Sequence, residues 1–290
     1  VTEKRPSQIL RPATARPRGT AAAAAAEQAP PTPAELRAIE QGLVELPRHS
    51  GASVDHQPEL AAVLALLRGR GPGYTFWGCP RWSASETPAR LQAIDRRMRR
   101  LGEWPALLVA DGVSQPANLV ELLAQADWVE IEGERVMWTR LAPGVPHLDP
   151  ALRIEAVTAR SAAVYEAVER EVFGLPADFA GQRTASLANS IEAGSLRAYL
   201  LRLNGQPVAT ARLARGDGVA GLFGVGVVEH ARRQGLGTLV TAVATRAGLA
   251  AGSSLVWLSV NEANAPALAV YRRLGFQPGL HWTRWLAPNI

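Results

Sequence analysis

Between Val225 and Thr238 the chain reads Val-Gly-Val-Val-Glu-His-Ala-Arg-Arg-Gln-Gly-Leu-Gly-Thr. An apolar run ends in a turn through Arg232, Arg233 and Gln234. Two glycines then open a segment with Leu236, Leu239, Val240 and Val243 at helical spacing. The order is strand, turn, helix. The first turn of a helix offers N–H groups without partners and a partial positive charge, which suits a phosphate. Gly235 and Gly237 carry no Cβ, so an anion can come close to the backbone. Cations at a helix N-terminus oppose the macrodipole by about 0.3–1 kcal/mol each when exposed, so Arg232 and Arg233 together imply an anion between them and the amides. A plain surface loop is the competing reading. The segment Arg68–Gly73 has the same Arg-x-x-Gly-x-Gly spacing, but it follows a helical segment and precedes the strand-like Tyr74–Trp77. No helix N-terminus would face it, and it reads as a helix end and linker.

Downstream, Val260-Asn261-Glu262-Ala263-Asn264 closes a second strand, and Asn264 is a natural N-cap for the helix opening Ala265-Pro266. Tyr271 shares a helical stripe with Leu268 and Leu274, where a core tyrosine would also sit. Other chemistries find no support. His49, His56, His147, His230 and His281 are scattered without zinc spacing, so no metal is expected. There is no Gly-x-x-x-x-Gly-Lys-Ser/Thr loop and no Gly-x-Ser-x-Gly elbow. Val240 stands where a dinucleotide fingerprint needs its third glycine. Trp257, Trp282 and Trp285 are read as fillers of sheet faces rather than as walls of a site.

These residues need a folded frame. The 290 residues are 47% hydrophobic and 20% charged, enough for two modest cores and unlike disordered or fibrous chains. The lone Cys79 excludes an intrachain disulfide framework and suits a reducing compartment. No apolar run approaches the ~20 residues of a membrane span, and the first residues lack a secretory core. A cytoplasmic protein without a membrane partner is expected. The net charge is +5, and residues 151–290 carry all of that excess. It could serve nucleic acid or, equally, a small polyanionic cofactor, and the motifs decide against a nucleic-acid partner.

Residues 1–31, rich in Pro, Arg and Ala, read as a disordered tail. Thr32-Pro33-Ala34-Glu35 is a capping box that starts a helix to about Leu46. Further helices are expected over Glu59–Leu67, from Thr87 to about Leu101, and over Pro116–Gln125. Ala106–Ala110 is a strand, and Trp128–Ile131 with Arg135–Leu141 reads as a hairpin around Glu132-Gly133. The proline-rich Pro143–Pro150 is a linker. Beyond it come strand 153–157, helices 160–172 and 177–191, and two strands joined through Asn204-Gly205. A strand over 219–228, helix 235–250, strand 255–260, helix 265–274 and strand 281–286 complete the pattern. The last three elements repeat the order of residues 106–141. Even the strand ends match, Trp138-Thr139-Arg140 against Trp282-Thr283-Arg284.

The loop Arg232–Gly237, Val260–Asn264 and Tyr271-Arg272-Arg273-Leu274-Gly275-Phe276 together resemble the GNAT superfamily of acyl-CoA-dependent N-acetyltransferases, over roughly residues 150–290. The resemblance implies an α/β (α+β) fold with a mixed, mostly antiparallel sheet flanked by helices. It makes residues 150–290 the N-acetyltransferase domain and 32–145 a smaller, degenerate module of similar kind. It further implies that amides of Arg233, Gln234, Gly235, Leu236, Gly237 and Thr238, beside Arg232, hold the pyrophosphate of acetyl-CoA. Val225 and Val227 would pair with the pantetheine arm, and an N–H near Val227 would stabilise an oxyanion. Asn264 would contact the coenzyme arm. Tyr271 would protonate the departing thiolate, and Glu229, His230 or Glu262 would take the proton of a small-molecule or peptide amine, Glu229 foremost. The implied activity is direct acetyl transfer from thioester to amine in a ternary complex, with a non-catalytic acyl-CoA-binding regulatory module as the alternative. Charges in Phe173–Ile191, such as Arg183, would shape the acceptor pocket.

Overall fold

The computed structural model describes residues 28–67, 74–145 and 149–288. The tail reading for residues 1–27 and the Arg68–Gly73 segment lie outside them. The first described residue, Gln28, has a buried amide that ties two parts of the chain together. Its Nε2 donates to the Gly275 carbonyl at 2.7 Å and its Oε1 accepts from the Arg140 N–H at 2.6 Å. Helix α1 (Pro33–Glu45) then begins on the predicted capping box. The Thr32 N–H donates to Glu35 at 2.8 Å, and the Glu35 N–H donates to Thr32 Oγ1 at 3.3 Å. The Arg140 guanidinium, 2.7 Å from Glu35, holds that carboxyl well below the usual range.

Strands β1 (Ser53–Gln57), β2 (Ala62–Leu66) and β3 (Phe76–Gly78) follow. The helix predicted over Glu59–Leu67 is not formed: one 3₁₀ turn, Pro58–Leu60, leads straight into β2. Ala62, Val63, Leu64 and Ala65 are buried in succession. A short apolar run of this kind has no periodicity to separate a fully buried strand from a helix. Next come α2 (Thr87–Arg100), β4 (Ala106–Ala110), α3 (Leu119–Gln125) and β5 (Val129–Thr139). The hairpin expected at Glu132-Gly133 is instead one continuous strand. Gly133 serves close approach rather than a turn, since a Cβ there would meet the His281 ring at 2.9 Å and the Trp282 carbonyl at 3.1 Å.

The C-terminal elements match their predicted order: β6 (Leu152–Ala156), α4 (Ala162–Phe173), α5 (Ala180–Glu192), β7 (Leu196–Leu203), β8 (Gln206–Gly216), β9 (Val219–Val227), α6 (Leu236–Ala250), β10 (Val256–Val260), α7 (Ala265–Arg273) and β11 (Gln277–Leu286). Asn204 and Gly205 turn with φ of +50° and +80°, as a tight hairpin between β7 and β8 requires.

All the strands join one sheet in the order β1-β2-β3-β4-β11-β5-β10-β9-β8-β7-β6. Only the β3–β4 and β9–β10 pairs are parallel, so the expected mixed, mostly antiparallel sheet flanked by helices is observed. The repeat takes an unexpected form, an exchange of strands. β11 leaves β10 to pair with β4, and β5 leaves β4 to pair with β10, the two travellers lying side by side. The registers correspond. Trp138 and Thr139 oppose Trp257 and Val256, just as Trp282 and Thr283 oppose Ala110 and Val109. Helix α6 covers one face of the sheet, where a Cβ on Gly248 would meet Val256 and Ala220. Helix α1 covers the other, where Gly42 and Gly221 leave room for the Trp257 indole.

Candidate active site

β9 and β10 pair only at Val256–Ala220 and Trp257–Gly221, and then part. The cause is visible on β9. Gly224, with φ +60°, forms a bulge opposite the Thr210–Arg212 register shift on β8, and Thr210 Oγ1 donates to its carbonyl at 2.9 Å. A bulge bends its strand and sharpens the local twist. A side chain is not tolerated there, because its Cβ would lie 2.8 Å from Glu169 Oε1. Beyond the bulge the Val228 N–H donates to Val208 on β8 at 2.9 Å. By alternation along a strand, the Val227 N–H faces the side that β10 has vacated.

The turn after β9 is contorted. Arg233 has φ +63° and Gly235 φ +79°, and Gly235, the N-cap of α6, offers no side-chain cap. The amides of the first turn are therefore left to solvent or a ligand. Arg232 Nε donates to the Val227 carbonyl at 3.1 Å, which holds that cation at the mouth. Gly237 has an ordinary φ, and a Cβ there would touch only Val227 Cγ2, at 3.6 Å. Packing does not demand this glycine; the open space above the amides does. The cradle fits an anionic diphosphate.

Splay, turn and α7 together line a groove of about 720 Å³. It gathers Val225, Val227, Arg232, Arg233, Asn264, Tyr271 and the run Gly235–Thr238. Asn264 caps α7, accepting from the Ala267 N–H at 3.2 Å. Tyr271 is 8% exposed and leans on Phe276 with ring centroids 5.9 Å apart. Burial pushes its hydroxyl up to about 12, and the Glu134 carboxylate adds to the shift. At neutral pH it is a protonated donor.

Other predicted residues fall outside the groove. Gln234 is exposed and does not line it. Glu229 and His230 stand exposed on the turn Glu229–Ala231, and Glu262 is paired with Arg135 at 3.1 Å. Arg183 points inward, buried against Glu166 at 2.5 Å and the Pro176 carbonyl at 2.8 Å, so its charge is structural. Beside it Glu169 pairs with Arg212 beneath the bulge, and Arg212 Nη1 donates to the His49 carbonyl at 3.4 Å. Val172 and Phe173 join the lining, Phe173 at the start of the segment expected to shape the acceptor pocket, together with Thr241 and with Arg273 of the Tyr271–Phe276 motif, neither of which was given a role. One signal for the first two was available: Gly226 alternates with Val225 and Val227, and its missing Cβ is what admits Val172 and Phe173. Since neighbouring strand residues face opposite ways, the end of α4 and the start of α6 reach the groove from opposite faces of the sheet. Among the described residues no three His, Cys, Asp or Glu side chains are grouped to hold a metal, and no helix is long and apolar enough to cross a membrane.

Residues 163–276 match the family model described as acetyltransferase (GNAT) family. No curated protein matches the chain in sequence. Several solved structures share its architecture. A GCN5-related N-acetyltransferase from Kribbella flavida is 23% identical with a TM-score of 0.68, covering 88% of this chain and 95% of that one. A tandem GNAT protein from the clavulanic acid biosynthesis pathway is 19% identical, with a TM-score of 0.60 and 79% coverage of each chain. A GCN5-related N-acetyltransferase from Sphaerobacter thermophilus is 19% identical with a TM-score of 0.58, covering 90% and 96%. At such identities the likeness speaks for the fold. The family match covers residues 163–276, the stretch that carries the cradle and Tyr271, and it is the match over that stretch that identifies it with the GNAT acetyltransferases.

Proposed function

We propose that the protein is an acetyl-CoA-dependent N-acetyltransferase, in which an amine attacks the thioester directly within a ternary complex. The observation that carries this reading is the convergence in one groove of an anion cradle, an unpaired strand edge and a buried, protonated tyrosine. Acetyl-CoA supplies the activated acetyl group. The amides from Gly235 to Thr238, flanked by Arg232, Arg233 and Arg273, hold its diphosphate. The vacated edge of β9 at Val225 and Val227 takes the amides of the pantetheine arm as a partner strand would. The Val227 N–H, aimed into the splay, is placed to steady a developing oxyanion, worth about 3–4 kcal/mol in comparable sites. Asn264, already spent as a cap through one oxygen, offers its amide to the same arm. Tyr271 gives its proton to the departing sulfur. Exposed Glu229 and His230 are left to exchange the amine's proton with solvent.

The division into a disordered tail, a degenerate module over 32–145 and a transferase domain over 150–290 remains part of this proposal, as does tandem descent. Titration calorimetry with acetyl-CoA, followed by a thiol-release assay across amines, tests the reading. We expect binding and turnover; absence of binding at millimolar acetyl-CoA would overturn it. The alternative, a regulatory module that binds acyl-CoA without transfer, would show binding with no thiol release toward any amine. The groove position of Tyr271 favours turnover.

A further inference from the structure

Val227 turns its side chain toward the start of α6, where its Cγ2 lies 3.6 Å from a Cβ on Gly237. Gly226 faces the other way, toward the end of α4. There Phe173 reaches over β9, its Cζ 3.2 Å from where a Gly226 Cβ would stand, with Val172 Cγ1 closer still. The ring is only partly used by the fold. Phe173 is 47% exposed, and it lines the groove. Its position is nevertheless fixed from both sides. Gly174, with φ +62°, ends α4 directly after it, and the Leu175 N–H donates back to the Arg170 carbonyl at 3.1 Å. Beyond that turn the buried Arg183 donates to the Pro176 carbonyl at 2.8 Å.

Charge on this face is already committed. The buried carboxylates of α4, Glu166 and Glu169, pair with Arg183 and Arg212. The charged groups lining the groove, among the described residues, are Arg232, Arg233 and Arg273, which flank the cradle. A coenzyme whose diphosphate lies at the start of α6 fills the α6 side of the splay. The α4 side is what remains for an incoming amine, and Val172 and Phe173 meet it there. An apolar wall binds the apolar body of a ligand. It also disfavours an ammonium relative to the free amine, because burial penalises the charged form. The free amine is the form that attacks: its nitrogen bonds to the acetyl carbon as the C–S bond breaks. Tyr271 protonates the sulfur, and the proton lost by nitrogen returns to Tyr271 through solvent.

We propose that Phe173 sets the acceptor specificity by packing against an aromatic ring, so that the acceptor class is an arylalkylamine. This rests on the acetyl-transfer reading and deepens it by naming the substrate class. Aromatic pairs gain more than the area they bury, which favours a ring over an alkyl chain of the same size.

The test uses the full chain, acetyl-CoA and three primary amines: 2-phenylethylamine, ethanolamine and spermidine. We expect 2-phenylethylamine to be turned over with a kcat/KM at least about 30-fold above the other two. Phe173→Ser should raise its KM about 10-fold, with the loss in KM rather than kcat. The acetyl-CoA Kd of that variant should stay within about 3-fold of the wild type, because the ring lies across the sheet from the cradle. A preference for ethanolamine or spermidine overturns the proposal, as does acetyl-CoA binding without turnover of 2-phenylethylamine. An unchanged KM in Phe173→Ser has the same force. So does a loss confined to acetyl-CoA affinity, which would give the ring to the pantetheine arm. Should Phe173→Ser fail to fold, the wild-type ranking of the three amines decides alone. Failure of the wild type to bind acetyl-CoA is a separate result, and removes the underlying reading as well.

Discussion

Trp138 of β5 lies directly opposite Trp257 of β10, and the two indoles share the core under α1, so residues from both halves of the chain pack into one cluster. Val136, Met137 and Trp138 are all buried in that position, and β11 in turn is paired with β4. A chain beginning at residue 149 loses these partners and bares both edges of β11 and one of β10. Burying each such large side chain is worth about 1.5–3 kcal/mol, and a domain's whole stability is about 5–15 kcal/mol. We expect residues 149–290 alone to aggregate, and to become soluble when co-expressed with residues 28–145. Gel filtration and circular dichroism check this; a monomeric fragment with cooperative unfolding would contradict it.

Tyr271 is buried among Leu274 and Phe276 while lining the groove, so its hydroxyl and its ring answer to different experiments. Tyr271→Phe keeps the ring. We expect kcat to fall about 100-fold, as for loss of a general acid, with little change in acetyl-CoA affinity or thermal midpoint. Tyr271→Ala should destabilise the fold by about 3–5 kcal/mol as well. Because burial raises the folded value to about 12, above the ordinary 10 of an unfolded chain, the tyrosine costs stability as pH rises past 10. Tyr271→Phe should flatten that alkaline decline, measured by denaturant unfolding between pH 9 and 11.

His49 carries the opposite dependence. It is buried, stacked on Phe223 at 5.9 Å, with Nδ1 3.1 Å from Ser190 Oγ. Burial, with Arg212 and Arg48 nearby, pushes it down to about 4 from an ordinary 6.5. Between those values the unfolded chain binds a proton that the folded chain refuses, so stability falls as pH drops from about 6.5 toward 4. The loss is on the order of 2–3 kcal/mol. Unfolding of the wild type and of His49→Gln at pH 7 and pH 4.5 should differ in slope; parallel curves would place the acid sensitivity elsewhere.

Much of this frame can be read from residue order, because the apolar runs of β7 through β11 are separated by strong turn signals such as Asn204-Gly205 and by helices of clear spacing. The main-chain part of the site is legible for a related reason. A cradle of backbone amides requires glycines at set positions, and Gly235 and Gly237 advertise themselves. Gly133 advertises the wrong thing, since a glycine that admits a neighbouring ring looks the same in sequence as one that turns. β2 misleads because four buried residues in a row carry no period. The strand exchange leaves no local trace: β5 and β11 share Trp-Thr-Arg at their paired positions, and nothing in either segment says whether it pairs with β4 or β10.

The two glycines of the cradle separate folding from binding. Gly235 holds φ at +79°, where an L side chain is strained, with nothing within 4 Å of a Cβ. Gly235→Ala should therefore cost about 1 kcal/mol of stability through the backbone alone. Gly237 has no such strain, and its Cβ would meet only Val227 Cγ2 at 3.6 Å, an ordinary contact. Gly237→Val is expected to leave the thermal midpoint nearly unchanged, apart from a small gain of helix propensity over glycine. It projects into the space above the first-turn amides, however, and should weaken acetyl-CoA binding at least about 30-fold by crowding the diphosphate. Calorimetric titration and thermal unfolding of the two variants should thus give crossed results. If Gly237→Val binds acetyl-CoA as the wild type does, the cradle is not where the diphosphate sits.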